Sequence, residues 1–234
     1  MSIVLAIDTA AAACSVAVLD QARVFAQCSH AMQRGQAEAL LPMVEQVMAK
    51  AALDFSGLDL IAVTRGPGAF TGIRIGLAAA RGLAFAAGKP CLGVETLSVL
   101  AEPLRTRDPA RPLLAVMDTK RGDFYAEMFI AGPQGDAPAG PRAVDADGLV
   151  NLVTAAGPLG GRALLVIGDT AETAVRALGE AGIAAEAADP AHRTPDPCAL
   201  GRVALSLWRR GETVPLPQPL YLRPPQVSEP NDRR

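Results

Sequence analysis

Histidine is nearly missing from this chain. The two present, His30 and His192, form neither HExxH nor any other paired-ligand spacing, so a conventional zinc or metallopeptidase centre is not expected. Cysteine is sparse: Cys14, Cys28, Cys91 and Cys198 are scattered, with no CxxC and no disulfide-framework spacing, and are expected to be buried reduced thiols. Aromatic residues make up only 4% of the chain while half of it is hydrophobic, so the core must be built from small, closely packed side chains. No run approaches the ~18 consecutive apolar residues of a membrane span. The first 20 residues carry no basic segment ahead of their apolar run, which reads as a strand pair rather than a signal peptide; a cytoplasmic protein is expected. A net charge of −2 argues against a surface that grips nucleic acid by itself.

What the sequence does contain centres on residues 65–88, RGPGAFTGIRIGLAAARGLAFAAG. The apolar run at 60–63 has the length of a strand, and Gly66, Pro67 and Gly68 stop it. Thr71 reads as a helix N-cap. From 73 to 87 the only charged side chains are Arg74 and Arg81, seven apart and therefore on one face of a helix. A helix so apolar is covered on more than one side, and its small residues permit close helix contact. The same turn could present backbone N–H groups to phosphate, but the Walker A spacing and lysine are missing. A second over-wide apolar helix is expected over 36–53, where Leu40, Val44 and Val47 form a stripe widened by Leu41, Met43 and Met48.

At 234 residues, one domain or two small lobes are both ordinary. Strands are expected near 3–7, 14–19, 24–28, 90–94, 113–117, 124–130 and 163–167. Helices are expected at 96–104, 146–156, 170–181 and 197–210, with a solvated connector carrying Arg105, Arg107 and Arg111. Strand, Asp-turn, strand occurs twice, at Asp8-Thr9 and again at Asp118-Thr119, an echo suggesting two related lobes. Asp8 and Thr9 either hydrogen-bond their own turn or approach a phosphate, and Asp118 sits at the second such turn.

AIDTA with its following CSVAVL, LLPMVEQ, RGPGAFTGIRIGLAAARGLA, GVETLSVLA, MDTKRGDFYAEMF and the closing YLR together resemble the bacterial TsaB family of tRNA threonylcarbamoyladenosine biosynthesis proteins. The resemblance covers nearly the whole chain and is densest in its first half. It implies an α/β, actin-like and Hsp70-like (ASKHA) two-lobed fold, each lobe a mixed sheet with packed helices: a first lobe over 1–106, a second, smaller lobe with the C-terminal helix and tail over 107–223, and a disordered end at 224–234. It further implies a non-catalytic scaffold for threonylcarbamoyl transfer to the adenosine beside the anticodon in tRNAs reading codons that begin with A. The implied partners are TsaD, the ATPase TsaE and, without TsaD, a second copy of the chain, with tRNA met only through the complex. ATP and a divalent metal would belong to the complex, with no cofactor bound by this subunit alone. Where TsaD carries a histidine pair on its first long helix, residues 34–41 hold none. The implied partner interface is Leu40, Met43, Val44 and Val47 with Ile75, Ala78, Ala79 and Gly82.

Two other readings compete. A small ATP-binding phosphotransferase of the same fold would place Asp8 near metal and Asp118 at the second phosphate turn. A peptidase would need a nucleophile setting that surrounds none of the cysteines.

Overall fold

The computed structural model describes residues 2–130, 140–211 and 216–223. The masses of secondary structure divide into two five-stranded sheets of the same topology. In the first, β1 (Val4–Asp8), β2 (Ala13–Leu19), β3 (Val24–Ala31), β4 (Leu60–Gly66) and β5 (Cys91–Glu95) lie in the order β3-β2-β1-β4-β5. The second sheet is made of β6 (Leu113–Asp118), β7 (Phe124–Phe129), β8 (Arg142–Val144), β9 (Leu164–Ile167) and β10 (Ala185–Ala187), ordered β8-β7-β6-β9-β10. In each, an antiparallel meander of three strands is followed by two parallel crossover strands. The echo between the Asp8 and Asp118 turns is therefore the visible part of a repeat that runs through both lobes.

Both sheets are covered on both faces, which is why their central strands are almost continuously apolar. Period-2 alternation sends Leu5 and Ile7 of β1 to the outer face, where they meet Leu40, Val44 and Val47 of helix α1 (Gln36–Ala51) and Ile73, Leu77 and Ala80 of α2 (Phe70–Ala87). Val4 and Ala6 point the other way, against Leu200, Ala204 and Leu205 of α6 (Pro197–Arg209) and Val99 of α3 (Thr96–Arg107). Leu97, Leu100 and Ala101 of α3 then pack on Leu113, Ala115 and Met117 of β6. Helices α4 (Ala146–Ala155) and α5 (Ala171–Glu180) cover the far face of the second sheet through Leu149, Val153, Ala174 and Leu178. The layers run helices, sheet, helices, sheet, helices, the actin-like two-lobed arrangement.

Several expectations are corrected. The C-terminal helix belongs to the first lobe rather than to 107–223, because α6 supplies the inner cover of the first sheet. Helix α2 begins at Phe70 with Ala69 at its N-cap, so Thr71 already lies inside the helix; the Ile73 amide donates to the Ala69 carbonyl at 2.9 Å. Arg105 and Arg107 occupy the last turn of α3, which continues through Pro103, leaving only 108–112 as connector. The four cysteines are free thiols. The glycine- and proline-rich stretch 132–141, whose composition reads as a loop, lies mostly outside the described residues, as does the end at 224–234. By length and composition alone, the 18 residues of α2 could cross a membrane; here one side of the helix lies against the first sheet.

Candidate partner-binding face

Helix α2 presents two surfaces. Ile73, Gly76, Leu77, Ala80 and Ala84 recur at helical spacing and are buried against the sheet. Arg74, Ala78, Arg81, Gly82 and Phe85 recur on the opposite side and are exposed, with Ile75, Ala79 and Leu83 half-buried at the margin. Phe85 is 90% exposed, an expensive position for a large aromatic side chain in water. Among the described residues five large apolar side chains stand exposed; Leu41 (50%) is on α1, Phe70 (40%) and Phe85 are near opposite ends of α2, and Tyr221 (39%) lies on the tail against Phe70. Gly82 has open space where a Cβ would stand, so the helix backbone is bare there.

The eight residues expected at an interface divide accordingly. Ala78 and Gly82 are exposed, and Ile75 and Ala79 are half-buried. Leu40, Met43, Val44 and Val47 are corrected: all four are sunk in the chain's own core under the first sheet and have no surface to offer a partner. The first lobe's core takes up Met43 and Met48 along with the stripe of Leu40, Val44 and Val47, and leaves Leu41 half exposed. The outward side of α1 is Ala37, Glu38, Leu41, Pro42, Glu45, Gln46, Ala49 and Lys50. Phe85 was missed, although a signal existed: it continues the stripe marked by Arg74 and Arg81, the side that must face away from the sheet.

The glycines of the central turn serve a different purpose from anion binding. A Cβ on Gly72 would lie 2.0 Å from the Thr9 carbonyl oxygen, and one on Gly68 would lie 2.3 Å from that of Ala10. The turn into α2 is thus pressed onto the loop after β1. Thr9 Oγ1 donates to the Gly72 carbonyl at 2.7 Å, and the Ala69 amide donates to the Ala10 carbonyl at 2.8 Å. Asp8 is fully buried; its Oδ1 accepts from Thr64 Oγ1 at 2.6 Å and from the Ala10 amide at 3.2 Å. Burial pushes its pKa to about 6 against these hydrogen bonds, and Oδ2 has no partner among the described residues. Asp8 Oδ1 and the Thr9 hydroxyl are therefore engaged by Thr64, the Ala10 amide and the Gly72 carbonyl, and the turn into α2 presses its backbone against this loop, while Asp8 Oδ2 is left without a partner among the described residues. Asp118 likewise accepts from the Lys120 amide at 2.6 Å and pairs with Lys120 Nζ at 2.9 Å, while its own amide donates to Asp169. The two aspartates end equivalent strands in different sheets, and each is engaged within its own lobe.

The YLR segment ties the lobes together. The Leu220 amide donates to the Arg65 carbonyl at 2.7 Å, Arg74 Nε donates to the Tyr221 hydroxyl at 2.8 Å, and Arg223 pairs with Asp123 in the β6–β7 turn. The Arg74 guanidinium lies 3.7 Å from the centre of the Phe70 ring, which is 5.1 Å from that of Tyr221. Arg65 meets Glu95 at 2.5 Å, and Asp59 accepts from the Ile3 amide. Tyr221→Ala should remove this stack at a cost of about 1 kcal/mol. Limited proteolysis read by mass spectrometry should then show cleavage within 216–222 that the parent chain resists.

Glu127 is a buried carboxylate facing the middle layer. Burial raises its pKa to about 7, the neighbouring Glu95 adds to the rise and Arg105 opposes it. A carboxyl group raised in the folded state contributes stability that is complete below its unfolded pKa, near 4.5, and is lost as pH rises through about 7. Glu127→Gln should thus raise the melting temperature at pH 8.5 relative to the parent and leave it nearly unchanged at pH 4.5; equal changes at both would refute the assignment. Burial raises Cys14, Cys91 and Cys198 to about 11, away from the thiolate a cysteine nucleophile requires.

Residues 29–185 match the family described as TsaD, tRNA N6-adenosine threonylcarbamoyltransferase. The chain is 38% identical over 122 residues to the tRNA threonylcarbamoyladenosine biosynthesis protein TsaB of Escherichia coli, a match covering 52% of each chain. It therefore spans about half the length of the curated relatives it matches. It is also 32% identical over 229 residues to an uncharacterized protein of Mycobacterium tuberculosis, covering 97% of this chain and 94% of that one. Among solved structures, a Pseudomonas aeruginosa protein described as uncharacterized with similarity to peptidase YEAZ superposes with a TM-score of 0.78. It is 30% identical, and the match covers 95% of this chain and all of that one.

Proposed function

The chain belongs to the TsaD family, among its TsaB members, and on that footing we propose that it is a non-catalytic, scaffolding subunit in the synthesis of tRNA threonylcarbamoyladenosine. It docks a TsaD-type subunit on the exposed side of α2, takes part in transfer together with TsaE, and pairs with a second copy of itself when no such partner is present. The observation that carries this reading is the outward side of α2, where Phe85 stands 90% exposed on the same helical stripe as the small residues Ala78 and Gly82. Exposed aromatics beside small residues let a second helix approach while supplying anchors for it.

A scaffolding role also agrees with the state of the two phosphate-turn candidates. Asp8 and Thr9 are turned inward and covered by the turn into α2, and Asp118 is held by Lys120. The residues present do not fit a nucleotide at the first turn, so no phosphoryl step is drawn through them. ATP and its metal are assigned to the partners, tRNA is met through the assembled complex, and a cytoplasmic location follows from that substrate.

Reconstitution tests the proposal. TsaD, TsaE, an enzyme generating threonylcarbamoyl-adenylate, ATP and tRNA are combined with and without this chain, and modified adenosine is read by mass spectrometry. Modification only when the chain is present, with none from the chain alone, is the expected result. Unchanged modification on omission would remove the role.

A further inference from the structure

Past the last turn of α3 the inner face of the second sheet is not fully covered. A cavity of about 360 Å3 opens there, bounded by the end of α3, the starts of β6 and β9, and the segment from β10 to His192. Its volume is at the lower end of the range for small-molecule sites. Leu104, Leu113, Leu165 and Ala188, all members of the cluster between α3 and the second sheet, give it an apolar floor. The charged part of the lining is Arg105, Arg107, Asp108, Arg111 and Asp189, with the basic residues coming from the end of α3 and the lobe connection.

The acidic groups of the lining are already engaged. Asp108 accepts both terminal nitrogens of Arg162, at 2.5 and 3.3 Å, and its pKa is lowered, chiefly by that hydrogen bonding. Asp189 accepts from the Ala191 amide at 2.8 Å. Two cationic groups keep donors unspent. Arg111 pairs through its terminal nitrogen with Glu186, yet its buried Nε has no partner among the described residues. Arg107 is exposed and makes no ion pair or hydrogen bond among the described residues. Arg105 lies over the Phe129 ring at 4.9 Å, which holds it beside the same opening.

We propose that this cavity binds a small organic acid, its carboxylate taken by the guanidinium of Arg107 beside that of Arg111 and its aliphatic or aromatic body lying on the leucine floor. Guanidinium donors suit a planar carboxylate, and Arg107 has no other acceptor among the described residues. A sugar or nucleotide fits less well, because the lining has no neutral hydroxyl or amide side chain to meet its polar groups. The site is independent of the partner-binding role: it lies between the end of α3 and the second sheet, whereas α1 and α2 cover the outer face of the first sheet.

The test uses the full chain, 15N-labelled, titrated at pH 7.5 with hexanoate, 1-hexanol and inorganic phosphate. Hexanoate should shift the amides of Leu104, Leu165 and Ala188 with millimolar affinity. Hexanol and phosphate should bind at least about tenfold more weakly, and Arg107→Ala should weaken hexanoate by about tenfold. This surface change leaves the fold intact, which the unperturbed remainder of the spectrum verifies. Equal binding of hexanol would reduce the cavity to an apolar cleft, equal binding of phosphate would make it a general anion patch, and unchanged affinity in the variant would remove the assigned carboxylate contact; each overturns the proposal.

Discussion

Gly82→Glu should leave the chain folded while breaking its self-pairing and weakening its complex with a TsaD-type partner by at least about 100-fold. A Cβ at this position meets nothing within 4 Å, so the side chain enters open space, and the helix gains up to about 1 kcal/mol by losing a glycine. In the complex the new carboxylate would be pressed against a partner helix. Stranding an unpaired charge there costs several kcal/mol, and each 1.4 kcal/mol is a factor of ten in affinity. Size-exclusion chromatography with light scattering, alone and mixed with the partner, reads the result, and circular dichroism confirms the fold. A variant that still co-elutes at full occupancy would place the interface elsewhere. Ala79, though near, makes a poorer test: it is half-buried and packs on the first lobe's own core, so a bulky charge there would confuse folding with binding. Phe85→Ala offers a milder check, with an expected loss of about 2 kcal/mol of binding if the ring is an anchor.

The largest effect on stability should come from Gly72→Ala. Its added methyl would stand 2.0 Å from the Thr9 carbonyl oxygen, and that oxygen belongs to backbone held by strand β1. Relief requires separating the α2 turn from the β1 loop, straining the hydrogen bonds that Thr9 Oγ1 and the Ala69 amide make between them. Overpacking of this kind costs about 3 kcal/mol, which for a chain of this size lowers the melting temperature by roughly 6–12 °C. Gly82→Ala, in the same helix, should instead be neutral or stabilising. If both substitutions have the same effect, the close approach at Gly72 is not what fixes that turn.

These two glycines show what could and could not be read from residues alone. The GPGAFTG turn announced a strand end and a helix start, but nothing in its spacing said that Gly72 faces Thr9 while Gly82 faces solvent. The same limit governed α1. Its stripe of Leu40, Met43, Val44 and Val47 is the pattern of a buried helix face, and periodicity does not tell an internal sheet from an external partner. Glu127 was legible only as a lone acid in an apolar strand; that it lies near Glu95 and Arg105 depends on how α3 is laid across the second sheet. The cavity rim was half visible as Arg105, Arg107 and Arg111, whereas its floor includes Leu165 and Ala188, the latter about eighty residues further on.

By itself the sequence determined the long helices, the longer strands and the family, and suggested two related lobes, because strand and helix periods, turn residues and motif blocks are local properties of the chain; the three-residue strands β8 and β10 are too short to show a period. Only the tertiary structure decided which apolar surfaces are spent inside the molecule: α6 returned to the first lobe, the inward side of α1 was used by the sheet, and Phe85 and Leu41 were left outside. Burial is set by what packs opposite a residue, and that neighbour usually lies far away along the chain.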